Sequence, residues 1–198
     1  VCSSDLAEIK HALAYLRLLE NPNDDTSFLR VVNFPPRGIG ARSLEQLQDA
    51  ARAASCSLHD AVPHVTGKPG VTLGGFVAKI DALRAQTQGL NLREIIELML
   101  VDSGLIEHFR AERDGADRVE NLEELVNAAE SFVMQEGFGR DAVARPDETT
   151  NPAVGAVVEA PASTDDVNRQ ALMTNQDTGE TLSPLVAFLT HAALEAGD

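Results

Sequence analysis

The 198-residue sequence contains no tryptophan, a single tyrosine and seven phenylalanines, so aromatic residues make up only 4% of it. Packed β-sheets favour aromatic and β-branched side chains, whereas a core of Leu, Val, Ile, Ala and a few Phe suits helices better. With 43% hydrophobic residues the chain can still bury a substantial core. The composition therefore predicts an all-α fold.

Cysteine is equally scarce, with only Cys2 and Cys56. Two cysteines outside a CxxC pair exclude a disulfide framework and fit a reducing cytoplasm. No apolar run reaches the roughly 18 residues that a membrane span needs, and no signal peptide is visible, so we expect no membrane partner. The stretch Val1–Leu6 lacks an initial Met and does not continue the helical pattern that follows. It indicates a fragment boundary or a non-native scar.

Basic residues are few, with 16 Lys and Arg against 31 Asp and Glu and a net charge of −15. This balance argues against a surface that coats nucleic acid non-specifically. The charge is distributed unevenly along the chain. Residues up to Arg113 include 14 acidic and 12 basic side chains, whereas residues from Asp114 onward include 17 acidic and 4 basic side chains. Within 30–52 the sign is reversed by four arginines, namely Arg30, Arg37, Arg42 and Arg52. We expect a modest positive spot there.

The motifs of common catalytic sites are also missing. The five histidines show no metal-ligand spacing, and neither a GxxxxGK[ST] phosphate loop nor a GxSxG nucleophile motif occurs. Neighbouring carboxylates in the sequence point in different directions on a helix, so they are expected to be solvated. The sequence thus predicts no catalytic residue, no metal and no cofactor within this chain.

Apolar periodicity predicts about seven to nine helices. They cover 8–20, 58–65, 92–102, 105–113, 118–135 and 184–197, together with three helices marked only by their apolar residues, namely Phe28, Val31 and Val32, then Leu44, Leu47 and Ala51, then Phe76, Ile80 and Leu83. The predicted N-caps are Asp25-Thr26, Ser57 and Ser183-Pro184. Two further helix starts are predicted from capping pairs, Ser43 with Gln46 and Asn91 with Glu94. The glycines of Gly67-Lys68-Pro69-Gly70 and Gly74-Gly75 predict a loop. Residues 137–181 are rich in Pro, Thr, Asn and Asp without a period, which predicts a disordered insertion.

Arg37-Gly38-Ile39-Gly40 is the segment with the clearest binding chemistry. Its glycines allow a ligand to approach the backbone, and the amides of the following helix point outward, which suits a phosphate. Ile39 would anchor the turn inward, Arg37 and Arg42 would add charge, and the Ser43 hydroxyl would complete the cradle. The arrangement resembles helix-hairpin-helix elements that hold a duplex backbone. The alternative is a tight corner between two helices with no ligand.

The apolar stripe of the longest predicted helix, 118–135, is most simply part of the core. A groove for a protein partner is the alternative interpretation of the same stripe.

Several segments together resemble the accessory region of UvrD-type (UvrD/Rep/PcrA-like) superfamily 1 DNA helicases. They are Glu8–Leu19, Asn21–Asp25, Phe28–Gly40, Asp102–Leu105, Arg118–Leu125 and Ser183–Glu195, in the order of the family. Two stretches depart from the resemblance, since Val1–Leu6 does not match and Gly137–Thr181 is longer than expected.

The resemblance implies that the parent is an ATP-driven 3′-to-5′ DNA helicase of repair and replication in the bacterial cytoplasm, associated with the nucleoid. Its ATP, Mg²⁺ and translocation motifs would lie outside this chain, which is expected to be inactive alone. The family's Gly-Ile-Gly loop contacts the duplex ahead of the fork, which assigns that role to Gly38, Ile39 and Gly40, with Arg37 adjacent. Further implied partners are junction DNA, the parent's own motor domains, and a repair protein or a second copy.

The resemblance also divides the chain. The expected parts are an unmatched start (1–7), the edge of the second motor domain, 2A (8–22), the inserted subdomain called 2B (23–136), an acidic insertion (137–181) and a last helix leading back to the motor (182–198). The alternative function is a protein-interaction module that recruits repair partners through its acidic half or the helix 118–135, with the turn serving only as a corner.

Overall fold

The computed structural model describes residues 6–136 and 183–196. These residues form nine α-helices and one 3₁₀ turn, and no strand occurs among them, which confirms the predicted all-α fold. The helices are α1 (Ala7–Glu20), α2 (Asp25–Val31), α3 (Ala41–Ala54), α4 (Leu58–Ala61), α5 (Gly67–Gln86), α6 (Leu92–Asp102), α7 (Leu105–Arg110), α8 (Gly115–Gln135) and α9 (Pro184–Ala196), with the 3₁₀ turn at Val62–His64. The predicted insertion 137–181 and Cys2 lie outside the described residues.

Four of the nine described α-helices begin at a capping side chain. The Asn91 side chain accepts from the Glu94 amide while Glu94 reaches back to the amide of Asn91, which confirms the predicted capping box of α6. Ser57 caps α4 as predicted. For α2 the cap is Asp24, one residue before the predicted Asp25-Thr26, because the Asp24 carboxylate accepts from the amide of Ser27 at 3.0 Å. Carboxylates in this position satisfy amides that the helix itself leaves unbonded.

The predicted loop over Gly67–Gly70 and Gly74-Gly75 is wrong, because both segments belong to the 20-residue helix α5. Pro69 is tolerated as the third helical residue, where an amide hydrogen has no partner inside the helix. The two later glycines each cost about 1 kcal/mol relative to Ala. Burial of an apolar stripe outweighs that cost. The stripe consists of Leu73, Phe76, Ile80 and Leu83.

Helix α1 lies at the centre of the core. It packs against α2, α5, α6, α8 and α9, and its Tyr15, Leu16 and Leu19 side chains have no exposed surface. The end of α1 is held by Arg84 of α5, whose Nε donates to the carbonyl of Leu19 at 3.1 Å. In this chain α1 therefore packs as the central member of one helical core. Its assignment to a motor domain stays a prediction about the parent protein.

The apolar stripe of α8 is also part of this core. Its buried members, Val119, Leu122, Leu125, Val126, Ala129 and Val133, face a set of helices that includes α1, α6, α7 and α9. Helix α8 starts at Gly115 and α7 ends at Arg110, so the predicted boundaries at Arg118 and Arg113 were each three residues off. The structure supports the packing interpretation of this stripe, because its apolar side chains are not available to a partner.

The core holds helices α2 and α3 so that the predicted turn lies on the surface between them. Helix α2 is joined to α4, since the Asp25 carboxylate accepts from the amide of Leu58 at 2.9 Å and Asn23 contacts Ser57 at 2.8 Å. Helix α3 begins directly after the turn and buries Leu47 and Ala51. The turn is therefore held between two anchored helices.

Candidate nucleic-acid interface

The turn between α2 and α3, residues 33–40, is closed by one asparagine side chain. Oδ1 of Asn33 accepts from the backbone amides of Arg37 at 2.8 Å and Ile39 at 3.1 Å. Between them Gly38 has a φ of +74°, a left-handed conformation that favours glycine. The Ile39 side chain is only 3% exposed, which confirms that it anchors the turn inward. The turn is thus preformed by the chain's own contacts.

Arg37 does not point outward, as its predicted role as a DNA contact would require. Its guanidinium lies under the turn, where Nη1 donates to the carbonyls of Val31 at 3.0 Å and Pro35 at 3.2 Å. Nη2 donates to the Tyr15 hydroxyl at 2.7 Å and the Ser103 carbonyl at 3.1 Å. In this conformation the guanidinium's hydrogen bonds are used within the protein. Sequence reasoning missed this because Tyr15 and Ser103 are distant in the chain.

The backbone beyond Arg37 presents donors to the surface. Gly38 and Gly40 are exposed, and α3 has Gly40 as its N-cap without a capping side chain. The amides of Gly38, Gly40, Ala41 and Arg42 have no acceptor within the described residues. Unbonded amides at the start of a helix, together with the helix dipole, favour an anion.

Ser43 does not form the predicted capping box with Gln46. Helix α3 starts two residues earlier, at Ala41, so Ser43 is its third residue and its amide bonds the carbonyl of Gly40 at 3.0 Å. Its half-buried hydroxyl has no hydrogen-bond partner within 6–136 or 183–196. Ser43 therefore lies in the first turn of the helix beside the outward amides.

The glycine at position 40 has no explanation within the described part of the molecule. A Cβ added to Gly40 would meet no atom within 4 Å. Its φ of −89° and ψ of 171° are extended values that any residue adopts. Neither backbone strain nor packing requires glycine here, so the missing side chain leaves room for an approaching group.

The four arginines expected to form a positive spot have different environments. Arg37 lies under the turn, and Arg52 pairs with Asp49 at 3.3 Å on the surface. Arg30 and Arg42 are exposed and form no ion pair with any residue that the structure describes. Arg42 is the second residue of α3, next to the unbonded amides. The free positive charge nearest the helix start along the chain is therefore that of Arg42.

Two histidines pack around the residue that enters the turn. The His11 ring stacks on the Phe34 ring with centroids 3.9 Å apart, and His108 meets the same ring edge-on at 4.8 Å. Burial lowers the pKa of His11 below its usual range, with nearby Arg30 acting in the same direction. The histidines showed no ligand spacing in the sequence, and here they act as flat packing groups that fix Phe34.

Away from the turn, an open groove of about 800 Å³ lies between the 3₁₀ turn and α5. Its floor is apolar, and at one end His59 lies between two carboxylates, Nδ1 at 3.0 Å from Asp60 and Nε2 at 3.1 Å from Asp81. Burial lowers the pKa of His59, but the two carboxylates outweigh that effect and the net result is a raised pKa.

The described ranges, 6–136 and 183–196, contain no group of His, Cys, Asp and Glu residues that could hold a metal ion. Among the helices in those ranges, none is long and apolar enough to span a membrane.

Comparison with known proteins gives a consistent result. The model of the UvrD-like helicase C-terminal domain matches residues 5–197. The chain is 34% identical over 199 residues to DNA helicase II of Escherichia coli (strain K12), covering 96% of this chain and 22% of that protein. It is 36% identical over 135 residues to the ATP-dependent DNA helicase PcrA of Bacillus subtilis (strain 168), covering 65% of this chain and 18% of that protein.

A mycobacterial relative matches over nearly the whole chain as well. The ATP-dependent DNA helicase UvrD1 of Mycobacterium leprae (strain TN) is 31% identical over 208 residues, covering 97% of this chain and 26% of that protein. The chain thus spans about a fifth to a quarter of the length of these relatives. Since the family model covers almost every residue, the chain belongs to the UvrD-like helicase C-terminal domain family.

Proposed function

We propose that this chain is the duplex-DNA-binding, regulatory 2B-type subdomain of an ATP-dependent 3′-to-5′ DNA helicase of repair and replication. Its turn 33–40 and the start of α3 contact the DNA backbone. The observation that carries the proposal is Gly40, an exposed glycine that the described packing does not require, beside amides with no acceptor among the described residues. The relatives' names, which are those of DNA helicases, support the class of ligand.

The contact is a phosphate grip at the end of a helix. A phosphate oxygen accepts from the amides of Gly40, Ala41 and Arg42, and the positive end of the α3 dipole favours its charge. Arg42 adds a charge-assisted contact from the exposed side, and the Ser43 hydroxyl can donate to the same group. Gly38 and Ile39 hold the turn in shape. Such a contact positions the protein on duplex or junction DNA without reading base identity.

The parent helicase supplies the rest of the activity. ATP and Mg²⁺ bind in its motor domains, outside 1–198, and residues 8–22 and 182–198 connect the subdomain to the second motor domain, 2A. The bacterial cytoplasm is the proposed location. The isolated chain is expected to bind DNA and to leave ATP intact, and ATP turnover by the purified 198-residue chain would contradict this division of labour.

The test uses a helix N-cap substitution that does not weaken the fold. Gly40→Asp places a carboxylate at the phosphate position, while aspartate is itself a favourable N-cap, so α3 is preserved. Binding of a fluorescein-labelled duplex with a 3′ single-stranded tail is followed by anisotropy at low salt. We expect the dissociation constant to rise about ten-fold or more, because charge-assisted hydrogen bonds are lost and a charge repels the phosphate.

The matched control is Asn91→Asp, which adds the same charge at the N-cap of α6 without changing the shape of the side chain. It is expected to bind DNA nearly as well as the original sequence. Equal loss in both variants, or no loss in either, would contradict the assignment of the turn. The salt dependence should be shallow, with a slope of about −1 to −2 in log–log form, because one or two phosphates are engaged.

A further inference from the structure

The guanidinium under the turn is bonded only to neutral acceptors. Its partners are four carbonyls, those of Val31, Val32, Pro35 and Ser103, and the Tyr15 hydroxyl. It also lies 5.2 Å from the ring centre of Phe76. No carboxylate among the described residues forms an ion pair with Arg37. A part-buried cation without an acidic partner keeps its positive field, which solvent screens less than that of an exposed side chain.

Tyr15 extends these contacts to the residue that begins the turn. Its hydroxyl accepts from Arg37 and donates to the carbonyl of Phe34 at 2.5 Å. The Tyr15 side chain has no exposed surface, so no DNA can reach it in this fold. A continuous path of hydrogen bonds therefore runs from Ser103, at the corner between α6 and α7, through Arg37 and Tyr15 to the turn.

The same corner lies beside the turn. A Cβ added to Gly104 would lie 3.8 Å from Cγ of Pro35. Ser103 is itself only 2% exposed, and its hydroxyl accepts from the amide of Leu105 at 3.3 Å. The acceptor for Arg37 is thus a rigid, buried carbonyl at the junction of two helices. The bonds of Arg37 to Tyr15 and to Ser103 therefore hold the turn both to α1 and to the α6–α7 corner.

We propose that Arg37 and Tyr15 are positioning residues for the DNA contact, and that Arg37 contributes charge from beneath the turn without touching a phosphate. This inference rests on the proposed function of the turn. The planar fork of arginine is needed because Nη1 serves the carbonyls of Val31 and Pro35 while Nη2 serves the Tyr15 hydroxyl and the carbonyl of Ser103. A lysine supplies the charge but carries only three donors on one nitrogen, too few for these four acceptors.

The experiment separates positioning from direct contact in the 198-residue chain. Tyr15→Phe removes the hydroxyl and keeps the ring, and Arg37→Lys keeps the charge and removes the fork. We expect each to raise the dissociation constant for the tailed duplex roughly 3- to 10-fold, the size of one or two lost hydrogen bonds. The double variant should be little worse than either single variant, since both break one path.

A direct phosphate contact by Arg37 predicts the opposite pattern. Lysine also binds phosphate, so Arg37→Lys would retain most affinity, and Tyr15→Phe would leave DNA binding unchanged. That pattern would overturn the inference. Amide hydrogen exchange of Arg37 and Ile39 provides a second measurement, and it should speed up in both variants if the turn loosens.

Arg84→Lys is the matched control for loss of an arginine contact to a backbone carbonyl. It breaks the bond from α5 to Leu19, and it should lower the melting temperature without changing DNA affinity. If all three variants weaken DNA binding equally, the effect is general destabilisation and the positioning role is wrong. Failure of the turn as a DNA site would be visible separately, because Gly40→Asp would then bind DNA normally.

Discussion

Two glycine-bearing segments of this chain look alike in sequence and differ completely in structure. The turn containing Gly38 and Gly40 stays outside any helix, whereas the segment 67–75 belongs to α5. In the turn, an added Cβ at Gly40 meets nothing within 4 Å. In α5, a Cβ at Gly70 would overlap the carbonyl oxygen of Val65. The space beside Gly40 is open to a partner, whereas the space beside Gly70 is occupied by the protein's own backbone.

The difference arises from what surrounds each glycine. In the turn, the Asn33 side chain accepts from the amides of Arg37 and Ile39, and Gly38 has a positive φ. In α5, the stripe that includes Phe76 and Ile80 is buried and forces the helical path through the glycines. Glycine content alone therefore does not identify a binding loop. The test is whether the missing side chain is used by the protein's own packing.

Gly70→Ala is expected to give the largest change in stability. The added methyl group would overlap a backbone carbonyl, which a side-chain rotation cannot relieve, so the free energy of unfolding should fall by about 3 kcal/mol. Thermal unfolding followed by circular dichroism measures this as a drop of roughly 6–12 °C for a chain of this size. DNA affinity of the folded fraction should stay unchanged.

Gly75→Ala is the control for that prediction, since it lies on the exposed side of the same helix with no atom within 4 Å of the added Cβ. It should stabilise the chain by about 1 kcal/mol through helix propensity. If Gly70→Ala melts at the same temperature as Gly75→Ala, the close packing of α5 on Val65 is incorrect.

Gly38→Ala should have a smaller effect on stability and a measurable one on DNA binding. An L-residue at this positive φ costs about 1–2 kcal/mol, part of which the turn can avoid by distorting. We expect weaker binding of the tailed duplex, because distortion moves the amides at the start of α3. Gly38→Asn should recover much of the loss, since asparagine tolerates the left-handed region. Equal affinity for the Ala and Asn variants would show that turn shape does not matter.

The helices were largely predictable because their signals are local. The limits of α6 and its capping box depend on Asn91, Glu94 and a strong apolar period, and both were predicted correctly. The predicted loop in α5 was wrong because local breakers were outweighed by burial against distant helices. Tertiary packing, which one sequence does not display, decided the outcome there.

The candidate site shows the same limit at the level of side chains. The turn itself could be located from its glycines and its arginines, and the inward anchor Ile39 was predicted correctly. The direction of Arg37 could not be predicted, because its acceptors on Tyr15 and Ser103 are brought close only by folding. The open space beside Gly40 likewise depends on which atoms surround it in the folded chain.

The ion pair between His59 and α5 is expected to give the smallest change in stability. His59 bridges Asp60, its neighbour in α4, and Asp81 of α5, and both ring nitrogens face carboxylates, which requires the protonated ring. The net rise in its pKa means that the folded state binds the proton more tightly than the unfolded state, whose pKa is about 6.5. The stabilisation is therefore fully present below about pH 6.5 and is lost as pH rises through the folded-state pKa.

The expected size is under about 1 kcal/mol, because the Asp60 and Asp81 side chains are 57% and 46% exposed and solvent screens the pair. His59→Gln, compared with the original chain in melting experiments from pH 5.5 to 8.5, should show a stability deficit that shrinks as pH rises. DNA affinity at constant pH should not change, because this contact stabilises α5 and leaves the turn untouched. A deficit that stays constant across this range would mean that the charged bridge does not form, and that packing alone joins α4 to α5.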